Sequence, residues 1–268
     1  MEIIILKNAE EVAATGAELV AELLRVSPAT VLGLATGATQ LALYRQLVAK
    51  NLAAEISFRN VTTFNLDEYL GVTPDNPQSY RAYMQRELFG RVDIDQCKTF
   101  LPECGEGQNP VLVGPLYEQK ILAVGGIDLQ IMGIGVNGHI GFNEPSSSLN
   151  SRTRVKTLTR QTVEDNSRLF SAAEFQPKLA ITMGIGTIMD ARRILLLATG
   201  GKKADAVGKM VEGPLTAMCP ASVLQMHQRV TVILDEAAAG GLRNRDYYDW
   251  AYLQNESLKD RFGRSNDL

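Results

Sequence analysis

Imidazole is scarce in this chain. Two histidines, His139 and His227, stand among 268 residues, too few and too far apart to form a histidine-based metal centre. Cysteine is hardly commoner. Cys97, Cys104 and Cys219 are odd in number and lack C-x-x-C spacing, so they read as free thiols rather than a disulfide or zinc framework. A redox pair of Cys97 and Cys104 is the less favoured alternative. Basic excess is missing too: 27 Lys and Arg against 30 Asp and Glu leave a net charge of −3, which gives nucleic acid no footprint. No apolar run approaches the roughly 18 residues of a membrane span. The N-terminus "MEIIILKNAEE" has no basic segment ahead of an apolar stretch, so a signal peptide is not expected. A cytoplasmic protein with neither nucleic acid nor membrane as partner is expected, with no Pro/Ser-rich linker, low-complexity segment or internal repeat to divide it.

Short apolar runs alternate with helical patterns from end to end. "EIIIL" (2–6), "TVLGLA" (30–35), "VTTFNL" (61–66), "IDLQIMGIG" (127–135), "KLAITM" (178–183), "RILLLATG" (193–200) and "VTVILD" (230–235) read as strands. Between them, segments such as "AEEVAATGAELVAELLRV" place Val12, Ala13, Leu19, Ala21, Leu23 and Leu24 at helical spacing. Nearly all-apolar strands alternating with helices predict an α/β fold: a doubly wound, mostly parallel sheet with helices on both faces. Residues 1–268 are expected as one domain, with about 237–268 a C-terminal helical extension. In such sheets ligands sit beyond the carboxyl ends of the strands, so the loop after each strand matters most.

After "TVLGLA" comes Thr36-Gly37-Ala38-Thr39, which leads straight into a helix. Free N–H groups, two hydroxyls and the positive helix end suit a phosphate or carboxylate. Simple capping by Thr36 or Thr39 stands beside that reading. No G-K-[ST] comes next, so this is not a Walker A loop. After "VTTFNL" come Asp67 and Glu68. Adjacent strand residues point to opposite sides, so only one can face the crevice as a base, where burial would lift its pKa; a helix or turn cap is the alternative that these two residues taken alone favour.

After the fourth strand comes "GIGVNGHIGFNEP" (133–145). Gly133, Gly135 and Gly138 match G-x-G-x-x-G, but Gly141 and Pro145 preclude a long helix. The position expected to carry an acid falls in "SRTRVKT" (151–157), which is basic. The dinucleotide reading fails on context. There remains His139 with Asn137 two residues before and Glu144 five after: a general acid/base with a carboxylate to fix its tautomer. His227 precedes a strand and reads as structural. Arg168 and Lys203 are cations in or beside loops; Lys203 comes after a glycine pair at a helix start, where it is a candidate phosphate partner, with an exposed surface lysine as the alternative and Lys202 beside it.

"LGLATGATQ", "TTFNLDEYLG", "QSYRAYM", "GIGVNGHIGFNEPSSSLNSRTRVKTLT", "AITMGIGTIMDA" and "PASVLQMH" resemble, in order and spacing, the glucosamine-6-phosphate deaminase family, over about residues 3–236. The resemblance implies a Rossmann-like fold. It implies conversion of glucosamine 6-phosphate and water to fructose 6-phosphate and ammonia, in amino-sugar catabolism and without a cofactor. Asp67 would be the base that moves a proton between C2 and C1. His139, supported by Glu144 with Asn137 beside it, would assist ring opening. Thr36, Gly37, Ala38, Thr39, Arg168 and Lys203 would hold the phosphate. Ser147, Ser148, Arg154 and Lys156 match an allosteric site of some hexameric members. Here Arg193 replaces an acidic residue associated with that site. Further departures are Asn137 where many members have Asp, and Ala35, Ala38 and Gln40 in the phosphate loop. The partner expected is an amino-sugar phosphate, with self-association left open. Rival readings are a galactosamine-6-phosphate deaminase or isomerase, a 6-phosphogluconolactonase-like hydrolase and a non-catalytic sugar-phosphate sensor.

Overall fold

The computed structural model describes residues 1–160, 163 and 176–262, the last four by backbone alone. Helix α1 (Ala9–Val26) shows how local signals set an element. The Asn8 side chain accepts the Glu11 N–H at 2.9 Å, satisfying a donor that the first turn leaves free. Glu10 and Glu11 occupy that turn, where negative charge suits the helix dipole. Val12, Ala13, Gly16, Ala17, Val20, Ala21 and Leu24 form its buried stripe.

Seven of the described strands form one sheet. They are β1 (Glu2–Leu6), β2 (Val31–Leu34), β3 (Thr62–Asn65), β5 (Thr99–Phe100), β6 (Leu129–Met132), β9 (Arg193–Ala198) and β10 (Val230–Asp235). Their order across the sheet is β1-β10-β9-β6-β2-β3-β5, and every pairing in it is parallel. Strand β9 explains why these segments read as unbroken apolar runs. Ile194, Leu196 and Ala198 enter the core on one face, while Leu195 and Leu197 enter the core on the other. Each such leucine contributes about 1.5–3 kcal/mol of burial, so neither face tolerates a polar residue. Helices α1, α2 (Ala38–Leu52) and α3 (Tyr80–Glu87) cover one side. Helix α4 (Pro110–Ala123) and the helix Ala204–Glu212 cover the other.

The doubly wound fold is therefore as expected, with one correction. "KLAITM" does not join the parallel sheet. Strand β8 (Leu179–Thr182) lies between β4 (Asp67–Tyr69) and β7 (Arg154–Thr157) in a separate three-stranded sheet, antiparallel to both. Leu66 joins the two sheets: its N–H donates to Leu34 at 2.8 Å and its carbonyl accepts from Met183 at 2.6 Å. An apolar run carries no information about which sheet it enters. Helix α4 also escaped the periodicity reading, because Val111, Leu112 and Leu116 on its exposed face are as apolar as its buried Val113 and Tyr117. The helix Arg245–Phe262 packs against β1. No helix among the described residues is long and apolar enough to cross a membrane.

The chain runs outward through β2, β3 and β5, then returns through β6, β9 and β10. Strand order thus reverses between β2 and β6, where α/β sheets open a crevice. The loops after β2, β6 and β9 converge there.

Candidate active site

The two adjacent acids of β4 diverge as the pleat requires. Asp67 is buried and turned toward the loop after β6. A Cβ placed on Gly141 would lie 3.2 Å from the Asp67 carboxylate and 3.0 Å from the Thr182 hydroxyl, so a side chain there would crowd both groups. Burial, together with the nearby Glu68, pushes the Asp67 carboxyl up to about 8, while the Phe142 amide and the Thr182 hydroxyl draw it part of the way back. Glu68 faces the other way. Its carboxylate accepts the N–H groups of Tyr69 at 2.8 Å, Tyr80 at 3.0 Å and Arg81 at 2.9 Å. Burial lifts its carboxyl to about 7 against the pull of those three donors. Glu68 thereby pins the start of α3, and Asp67 alone of the pair meets the loop after β6.

That loop, 133–145, is a tight fold of backbone around His139. The Gly135 N–H donates to the His139 carbonyl at 2.9 Å, and the Gly138 N–H donates to the Gly135 carbonyl at 3.0 Å. The His139 ring lies directly over Gly135, where any added Cβ would strike it. Gly138 and Gly141 both adopt positive φ, 84° and 54°, a region that favours glycine. The Glu144 carboxylate is buried, and its Oε2 lies 3.4 Å from His139 Nδ1. At that separation Nδ1 has no formed hydrogen bond, so the pair is held by proximity and charge. Asn137 is the joint between them. Its Nδ2 donates to the same Glu144 Oε2 at 2.8 Å, and its Oδ1 accepts the His139 N–H at 3.1 Å. An aspartate at 137 would lose the first bond and set a second negative charge against Glu144.

The loop after β2 forms the opposite lip. Gly37 is the N-cap of α2 with φ 139°, and no side chain caps the helix. The capping alternative for Thr36 and Thr39 is therefore not what is built. Thr36 instead lies against the Tyr80 hydroxyl, and the Thr39 hydroxyl is 3.2 Å from that of Thr199. Tyrosines hold this loop: Tyr44 donates to the Ala35 carbonyl at 2.6 Å and Tyr83 to the Gly37 carbonyl at 3.1 Å. Tyr80 reaches Tyr69 at 3.2 Å through their hydroxyls and stacks on Phe142 at 6.1 Å. Gln40, buried, fits between Gly37 and Gly133, both of which lack the Cβ that would crowd its amide.

Thr36, Gly37, Ala38 and Thr39 are thus gathered in one turn, with Lys203 at the end of the neighbouring Gly201–Lys203 turn. Asn137, His139 and Glu144 form a second group, and Asp67 meets the same loop at Gly141 and Phe142. Arg168 lies outside the described residues. Ser147 and Ser148 continue the chain past Glu144. Arg154 reaches the back of that loop, donating to Asn143 Oδ1 at 2.9 Å, and burial lowers its pKa. Lys156 lies two residues on along β7. His227 is far from this group in role. Its Nε2 meets the Ala191 carbonyl at 2.8 Å and its Nδ1 accepts the Arg229 N–H at 3.0 Å, so both ring nitrogens are used by backbone. Among the described residues no three His, Cys, Asp or Glu side chains gather as metal ligands.

Sequence reasoning passed over Thr182, whose hydroxyl accepts the Phe142 N–H at 3.1 Å, and Thr199. For Thr182 there is no local signal, since it reaches the site from the second sheet. For Thr199 there is one: "LATG" occurs at 34–37 and again at 197–200, after β2 and after β9.

A model of the family described as glucosamine-6-phosphate isomerases/6-phosphogluconolactonase matches residues 7–233. A glucosamine-6-phosphate deaminase of Colwellia psychrerythraea is 59% identical over 263 residues, 98% of this chain and 98% of that protein. One from Hahella chejuensis is 57% identical over 259 residues, 97% and 98% of the two chains. Among solved structures, a monomeric glucosamine-6-phosphate deaminase matches with a TM-score of 0.86 at 43% identity, over 90% of this chain and 100% of that one. A 6-phosphogluconolactonase from Trypanosoma cruzi matches with a TM-score of 0.72 at 21% identity, over 90% and 97%, a likeness of fold alone. Sequence, sheet topology and the loops at its reversal point all agree: this chain belongs to the glucosamine-6-phosphate isomerase/6-phosphogluconolactonase family.

Proposed function

We propose that the chain is an aldose–ketose isomerising deaminase, converting glucosamine 6-phosphate and water to fructose 6-phosphate and ammonia. The observation that carries this reading is the pairing of two proton-handling groups from separate sheets: buried Asp67 on β4, and His139 with Glu144 on the loop after β6. A pyranose has to open before its C2 proton becomes acidic, so the reaction needs one group for each step. His139 transfers the proton from O1 to O5 as the C1–O5 bond breaks, and Glu144 holds the ring that carries it. Asp67 takes the C2 proton from the open aldehyde, leaving an enol across C1 and C2, and returns a proton to C1. The resulting C2 imine adds water, and the C–N bond breaks to release ammonia.

Thr36, Gly37, Ala38, Thr39, Arg168 and Lys203 are assigned to the phosphate. Anchoring that dianion far from C2 lets its binding energy position the reacting carbons. Full-length identity above 50% to proteins named glucosamine-6-phosphate deaminase supports the gluco substrate over the galacto epimer and over a lactone. Intact Asp67 and His139 support catalysis over a silent sensor. The test is to incubate the purified protein with glucosamine 6-phosphate, galactosamine 6-phosphate and 6-phosphogluconolactone, measuring ammonia and fructose 6-phosphate. Ammonia from the gluco compound is expected; its absence from both amino sugars would sink the deaminase reading.

A further inference from the structure

We propose that Thr199 is a further substrate-phosphate ligand, so that the turn after β9 contributes a hydroxyl to the phosphate as well as Lys203. The inference rests on the reading of residues 36–39 as the phosphate loop. Strands β2 and β9 both pair with β6, one on each side. Each ends in the same tetrapeptide, Leu-Ala-Thr-Gly. In each the glycine takes positive φ, 139° at Gly37 and 86° at Gly200. In each, helical turns come at once: α2 from Ala38, and the Gly201–Lys203 turn running into Ala204–Glu212. The same local chemistry is thus delivered twice to one end of the sheet.

The two turns touch. Thr39 Oγ1 and Thr199 Oγ1 are 3.2 Å apart, and either can donate to the other. Two hydroxyls carry two protons, and one hydrogen bond between them uses one. The second O–H remains a donor, in a place where both residues are only half-buried. A phosphate dianion has three terminal oxygens and favours several donors at fixed positions.

The second turn is rigid enough to serve. Asp235, at the end of β10, accepts the Gly200 N–H at 2.9 Å and the Ala238 N–H at 2.7 Å. Those bonds take up the Gly200 amide and tie the turn down beside the Thr199 hydroxyl. Lys203 closes the same turn, its N–H donating to the Gly200 carbonyl at 3.0 Å, and adds a positive charge four residues from Thr199. The loop after β2 has no charged side chain of its own between residues 35 and 40, so the cation must come from elsewhere.

Two variants compared with the wild type test this: Thr199→Val, which keeps shape and removes the hydroxyl, and Thr199→Ser, which keeps the hydroxyl. For each protein, KM and kcat for glucosamine 6-phosphate and the inhibition constant of inorganic phosphate are measured, with thermal melting alongside. Losing one hydrogen bond to a charged group should raise KM and the phosphate inhibition constant together in Thr199→Val by about ten-fold, with kcat within about two-fold. Thr199→Ser should restore both. Unchanged phosphate inhibition in Thr199→Val overturns the assignment, as does a Thr199→Ser variant that is no better, because then the methyl's packing matters and the hydroxyl does not. A wild type that turns the substrate over but is indifferent to phosphate also overturns it. A wild type with neither property removes the phosphate-loop reading and this assignment together.

Discussion

The two lips of the crevice are built on opposite plans. The lip after β2 carries no ionisable side chain between residues 35 and 40, and three tyrosines brace it from outside. The lip after β6 holds a histidine, a carboxylate and an amide within one hydrogen-bonded turn, with Asp67 brought against it from another sheet. One plan suits a ligand group whose charge stays put, since fixed N–H dipoles and hydroxyls need no protonation of their own. The other suits protons in transit, where groups must change charge while staying in place. Glycine serves both, though differently: Gly37 for a backbone angle, Gly135 and Gly141 to clear space for His139 and Asp67.

The strongest way to break this division is at Asp67. Asp67→Asn should lower kcat by about 10²–10⁴-fold and abolish C2 proton exchange with solvent, while inhibition by inorganic phosphate stays as in the wild type. Retained exchange would remove Asp67 from the base's role. Stability should move the other way. The Asp67 carboxyl titrates near 8 folded against 3.8 unperturbed, so the folded chain keeps its proton longer and loses stability as pH climbs through that window. Asp67→Asn should therefore melt higher than wild type at pH 8, and by less at pH 4.

Gly135→Ala attacks the same lip without touching charge. Its Cβ would displace the His139 ring; a misplacement near 1 Å costs about 10²-fold in turnover, again with phosphate inhibition preserved. Gly37→Ala attacks the other lip. At φ 139° and ψ 168° only glycine is at ease, and strain of about 1–3 kcal/mol should loosen the turn. Phosphate inhibition should weaken about ten-fold with kcat kept within a few-fold, by analogy with removal of uniform binding. If Gly37→Ala reduced kcat and left phosphate binding intact, the two plans would not be separate.

Glu68 lies between them, pinning α3, which carries Tyr80 and Tyr83. Glu68→Gln keeps one accepting oxygen for the Tyr69 and Tyr80 N–H groups, sets an NH2 against the Arg81 N–H, and removes the charge that helps lift Asp67. The acid limb of kcat/KM should move to lower pH; a shift to higher pH would contradict that assignment of cause. The smallest effect is expected at the other histidine. His227→Gln should leave kcat and KM unchanged and lower the melting temperature by about 2–4 °C for roughly 1 kcal/mol of lost backbone bonding.

Much of the fold was legible because its signals are local. A strand buried on both faces has to be apolar throughout, as β9 is, and α1 announces itself through Val12, Ala13, Ala21 and Leu24 at helical spacing, all four buried. Helix α4 was hidden by its equally apolar exposed face, and the second sheet by the fact that a run such as "KLAITM" does not name its neighbours. The glycine-rich loop with His139 could be singled out from residue types alone. Thr182 could not, since only the pairing of β4 with β8 brings it to Phe142 and Asp67.

The chain's sequence by itself determined the α/β class, the crevice end of the sheet and a short inventory of residues fit for proton transfer and phosphate binding. The first comes from spacing along the chain, which 3.6-residue and two-residue periods convert into faces; the second from the rule that ligands sit beyond the carboxyl ends of the strands; the third from residue types and from the family resemblance. Only the tertiary structure decided that Asp67 rather than Glu68 meets the loop, that Asn137 joins His139 to Glu144, and that two Thr-Gly turns touch across β6. Those outcomes depend on strand order and on which sheet a segment enters, and both are set by contacts between residues far apart in sequence.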